Sequence, residues 1–113
     1  MYFVYYYQQK DGKSPIIEFI KSAGDPLKLK IGRQIAYLKE FGLTKENPSL
    51  RKLTGTPLWE IRILGKDNTR MICVAVVNSK IFILHIFKKK GNKTPLGDIS
   101  LAIKRYKLLT DDI

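Results

Sequence analysis

Residues 58–90 read LWEIRILGKDNTRMICVAVVNSKIFILHIFKKK, and this stretch is dense in β-branched and aromatic residues broken by turn-forming ones. Three strands are expected, at Leu58–Leu64, Thr69–Asn78 and Lys80–Lys88. Gly65-Lys66-Asp67-Asn68 and Asn78-Ser79 separate them as hairpin-like connections. The second and third are apolar at nearly every position, which places them in the interior of a sheet. Side chains alternate along a strand, so Trp59, Ile61 and Ile63 share one face while Glu60 and Arg62 share the other. By the same rule Arg70 goes with Ile72 and Val74. Lys88 goes with Phe82, Leu84 and Ile86, and His85 points the opposite way. Arg62, Arg70 and the Lys88-Lys89-Lys90 run thus come from three successive antiparallel strands and converge if the register allows.

Before this stretch, YFVYYY at residues 2–7 reads as a further strand ending in a polar turn. Ser14-Pro15 pairs a capping residue with proline at the first helical position, and the helix so opened stops at Gly24. Asp25-Pro26 restarts a helix by the same device, with Leu27, Ile31, Ile35 and Leu38 as its apolar stripe and Phe41-Gly42 as its end. Residues 44–57 are loop-like, with Asn47-Pro48 and Gly55-Thr56-Pro57 as breakers. After the strands, Thr94-Pro95 opens a last helix whose buried face is Ile99, Ala102, Ile103, Tyr106 and Leu109. The order β-α-α-β-β-β-α defines an α+β fold, expected as one domain over residues 1–113.

The balance of 21 Lys+Arg against 10 Asp+Glu gives a net charge of +11. That surplus attracts polyanions through counterion release, with nucleic acid the first candidate and an acidic protein partner the other. Cys73 is the sole cysteine and lies in an apolar run, where a buried inert thiol is expected. One histidine and one cysteine without clustered carboxylates make no zinc site, so no metal and no cofactor are expected. There is no signal-peptide pattern and no apolar stretch near the roughly 20 residues of a membrane span, so a cytoplasmic protein with no membrane partner is expected.

Taken singly, each basic feature has an ordinary explanation. Glu60 and Arg62 suit a solvated ion pair, Lys88–Lys93 a basic loop, and His85 a hydrogen-bonded core histidine. The tyrosines at 2 and 5–7 suit strand packing. Together they are more specific. The segment KLTGTPLWEIR at Lys52–Arg62, the arginine opening the next strand at Arg70, ILHIFKKK closing the third, and Thr94-Pro95 resemble the phage Gp49-like HigB branch of the RelE toxin superfamily.

The resemblance implies a curved antiparallel sheet with helices packed on one face and RNA bound on the other. It further implies the toxin of a type II toxin–antitoxin pair, an mRNA endoribonuclease acting on the ribosome. Its partners would be mRNA, the ribosome and a HigA-like helix-turn-helix antitoxin, with no small-molecule cofactor. The implied chemistry is metal-independent attack of a ribose 2′-OH on the adjacent phosphate, leaving a 2′,3′-cyclic phosphate and a free 5′-OH. Carried across residue by residue, it makes Arg62, Arg70, Lys88, Lys89 and Glu60 the expected catalytic group. Arg51, Lys52, Lys90 and Lys93 are the expected RNA contacts. Arg70 and one of the lysines would meet phosphate charge, Arg62 would position substrate, and Glu60 would act as base or orient Arg62. Two alternatives share the fold: a degenerate module that only binds RNA or antitoxin, and a ParE-like gyrase inhibitor.

Overall fold

A computed structural model describes residues 1–65, 68–91 and 95–111. In chain order the elements are β1 (Phe3–Tyr6), α1 (Pro15–Ser22), α2 (Asp25–Phe41), β2 (Leu50–Lys52), β3 (Trp59–Ile63), β4 (Thr69–Val76), β5 (Lys80–Lys88) and α3 (Leu96–Asp111). The start of α1 follows its sequence signal. Ser14 Oγ accepts from the Ile17 amide at 3.3 Å and Pro15 takes the first turn of α1. By contrast, α2 has Gly24 at its cap with no side-chain cap bond, and Asp25 is already within the helix. Thr94, expected to cap the last helix, lies outside the described residues. Gly42 ends α2 with φ 74°, and a Cβ there would lie 2.6 Å from the Tyr2 ring. Only glycine permits both the left-handed turn and that approach. The Tyr2 amide donates to Lys39 O at 2.8 Å, which ties the C-terminus of α2 to β1.

The five strands form one sheet in the order β1-β5-β4-β3-β2. β4 and β5 are interior, as their apolar runs require. The fold is of the expected α+β class, with three differences from the sequence reading. β2 forms inside the segment read as a loop; with three residues between breakers it is too short to show a period. β1 runs parallel to β5, so the sheet is mixed rather than antiparallel throughout. The helices also cover both faces. Ile16 of α1 and Leu27, Ile31, Ile35 and Leu38 of α2 pack on Ile61, Ile63, Met71, Ile81 and Ile86. Ala102, Ile99, Ile103, Tyr106 and Leu109 of α3 pack on Ile72, Val74, Leu84 and Phe87 of the opposite face. Strands apolar on both sides need cover on both sides, and α3 supplies the second layer.

The register contains one irregularity, between Ile72 and Cys73 of β4, where β5 carries an extra residue: Cys73 pairs with Ile83, but Ile72 pairs with His85. This β-bulge changes the parity of everything after it. Ile86 joins the α1–α2 core instead of sharing a face with Leu84, and Arg70 pairs with Phe87. No described helix is long and apolar enough to cross a membrane.

Candidate nucleic-acid interface

The sheet face beneath α3 is covered mainly over β5 and β4, and its β2–β3 side carries a charged cluster. Across the strands, Arg51 pairs with Glu60, Glu60 with Ile72, and Ile72 with His85. One step along, Arg62 pairs with Arg70 and Arg70 with Phe87. Like charges directly opposite on a sheet repel, so the Arg62–Arg70 pair needs a counter-charge. Glu60 provides it. Its Oε1 lies 3.4 Å from Arg51 Nη2 and 3.6 Å from Arg70 Nε.

Glu60 is 3% exposed and Arg70 8%, so this ion pair is buried, against the open face expected from the sequence. Arg70 is far from saturated. Nη1 reaches its neighbour's carbonyl, Thr69 O, at 3.4 Å, and Nε is buried without a hydrogen bond among the described residues. A guanidinium carries five donors, and leaving them unused inside a protein costs stability. Arg62, by contrast, is exposed, and no described residue pairs with its side chain. One buried arginine fixed by a carboxylate beside one open arginine suits a ligand with several anionic oxygens.

The structure brings Arg51, Glu60, Arg62 and Arg70 together. It separates other expected residues from them. Lys52 pairs with Trp59 on the α1–α2 side of the sheet, with Nζ 5.9 Å from the indole centre and a hydrogen bond to Thr56 O. Lys88 pairs with Thr69, one position off the Arg70 row and of opposite parity, because of the bulge. Lys89 has the parity of Phe87 instead; its amide donates to Asn68 O at 2.9 Å. Lys90 is exposed beyond the strand, and Lys93 lies outside the described residues.

Further across the same face, His85, Asp98 and Arg105 form a cluster that strand-based reasoning does not reach. His85 Nε2 is 2.7 Å from Asp98 Oδ1, and Arg105 Nη1 is 3.3 Å from His85 Nδ1. Arginine can only donate, so Nδ1 is the acceptor and Nε2 carries the proton given to Asp98. Arg105 Nη1 also donates to Leu84 O in the bulge at 2.8 Å, and its guanidinium sits 4.8 Å from the Tyr7 ring centre. Burial draws its pKa below the usual arginine range, with an opposing contribution from Tyr7. His85 is thus hydrogen-bonded, as its apolar flanks suggested, and it stacks on Phe87 at 5.2 Å. The one available signal for its partners is the seven-residue spacing of Asp98 and Arg105, two turns apart on one helix face.

A small α+β domain with this sheet and a charged face beside its last helix has the fold of a RelE-type toxin. It matches the structure of an arginine-to-alanine double mutant of the E. coli toxin RelE in the free state, with a TM-score of 0.63 and 17% identity over 92% of this chain and 96% of that one. The chain belongs to the phage-derived Gp49-like protein family, which it matches over residues 18–107. No curated protein matches the sequence.

Proposed function

We propose that this protein is the toxin of a type II toxin–antitoxin pair and cleaves mRNA on the ribosome. The observation that carries this reading is Arg70, buried beside Glu60 with its Nε unbonded and Arg62 directly across the strand. In the reaction the 2′-oxygen bonds to phosphorus as the P–O5′ bond breaks. The proton leaves the 2′-OH and one is delivered to O5′, so the products are a 2′,3′-cyclic phosphate and a 5′-OH end. The charge that builds on the non-bridging oxygens is met by Arg70, and Arg62 holds the substrate strand. Glu60 contacts Arg70 and Arg51 rather than Arg62, so its role is to position Arg70. Lys89 and Lys90 extend the positive surface at the end of β5, and Arg51 extends it along β2. The natural partner is a HigA-like helix-turn-helix antitoxin that masks this face.

Expression without antitoxin should arrest growth and produce new 5′-OH ends in translated mRNA. Arg70→Ala should remove both effects while the protein stays folded. Growth arrest without new mRNA ends, or with DNA damage in their place, overturns the endonuclease reading.

A further inference from the structure

Near the end of β3, where the Arg62 amide donates to Ser49 O, a shallow cleft of about 280 Å³ lies between α2 and the sheet edge. Lys30 and Arg33, one turn apart on α2, form one wall; Arg62 and Leu64 form another, with Gln34 and Ser49 between. Among the described residues, three cations line this cleft and no carboxylate does. The side chains of Arg33 and Arg62 have no hydrogen bond or ion pair to any described residue, and Lys30 Nζ has one, to Leu64 O at 2.9 Å. Gly65 belongs to the same construction. With φ 145° it has the backbone only glycine adopts readily, and a Cβ there would lie 2.8 Å from Lys30 Nζ. Gln34 and Ser49 are held in place: Gln34 Nε2 lies 3.3 Å from Ser49 Oγ, and Asn47 Nδ2 donates to Gln34 Oε1 at 3.1 Å. Mutually repelling cations on a fixed frame, with no counter-charge among the described residues, fit an anion with several oxygens.

We infer that this cleft holds a second phosphodiester of the bound RNA, so that the strand turns around the β3 edge from Arg70 to α2. Arg62 makes the two sites continuous, since it lies across from Arg70 and also lines the cleft. The inference rests on RNA being the ligand of the Arg70 cluster but not on its being cut. The ligand is the RNA backbone, read by charge and without base contacts.

The test measures binding of a 2′-O-methylated RNA of about 12 nucleotides, which cannot be cleaved and falls in the range of single-strand site sizes. Arg33→Glu should weaken binding at least about ten-fold in near-physiological salt, and Arg33→Ala should lower the slope of log K against log salt by about 0.7. Lys21→Glu, on the exposed side of α1, makes the same change in net charge and should stay within about two-fold of wild type. Equal weakening by Lys21→Glu and Arg33→Glu, or no weakening by Arg33→Glu, overturns the proposal. So does an Arg33→Glu protein that binds RNA normally but loses its antitoxin, since the cleft would then serve an acidic protein. A wild-type protein that binds this RNA but cuts no mRNA would defeat the endonuclease reading and leave the cleft intact.

Discussion

In the proposed reaction Arg70 meets the charge on the phosphate, and its surroundings predict how substitutions behave. Arg70→Lys keeps the charge but loses the planar fork, so cleavage should fall by about 10²-fold or more. A lysine variant with wild-type cleavage in a reconstituted translation assay would reduce the arginine to a simple charge. Glu60 makes a different prediction. Glu60→Ala leaves a buried guanidinium without its counter-charge and should lower unfolding stability by about 3 kcal/mol in urea. Cys73 reports the core. Burial pushes its thiol from an ordinary value of 9.0 up to about 12. The folded state therefore holds this proton more tightly than the unfolded chain. The stabilisation tied to it is complete below about pH 9 and is lost as pH rises toward 12. Alkylation of Cys73 at pH 8 should accordingly follow the unfolding rate rather than thiolate formation, and rapid labelling of the native protein would contradict this burial.

Elements explain what the sequence disclosed and what it withheld. The stripe at Leu27, Ile31, Ile35 and Leu38, the cap at Ser14 and the apolar runs of β4 and β5 are local signals, and each produced the element expected of it. The shared face of Glu60 and Arg62 likewise needed only the two-residue period. The bulge is different, because an extra residue in β5 is visible only in its pairing with β4. It reverses Lys88 relative to Arg70 and turns both Leu84 and His85 toward α3. The burial of Glu60 was hidden for a similar reason: its neighbours Arg51 and Arg70 arrive from two other strands. The bulge also anchors α3, through Arg105 to Leu84 O and through Asp98 to His85. Arg105→Ala should cost about 1–2 kcal/mol by leaving the bulge carbonyl and His85 Nδ1 without their donor. Hydrogen exchange should then quicken about ten-fold in α3 and stay unchanged in α2. Uniform acceleration across both helices would show that α3 does not open independently.

At the scale of the molecule, the net charge of +11 works against the fold and in favour of a polyanion. The cations of the Arg51–Arg62–Arg70 face and of the α2 cleft repel one another at close range in the free protein. Screening weakens that repulsion as the Debye length falls from about 30 Å in 0.01 M salt to about 8 Å in 0.15 M. The free protein should therefore melt several degrees higher at the greater ionic strength, since about 1 kcal/mol moves a domain of this size by roughly 4 °C. Bound RNA supplies the same neutralisation by contact. At a hundred times its dissociation constant, a 2′-O-methylated RNA should add about 2.7 kcal/mol, or roughly 10 °C. The two effects oppose each other as salt increases: the free protein gains stability while the complex loses affinity through counterion release. The melting temperatures of free and bound protein, followed at one fixed RNA concentration, should thus converge with salt. Parallel curves would mean that apolar stacking rather than phosphate charge holds the RNA, and would move the interface away from the arginines to the exposed aromatics of β1.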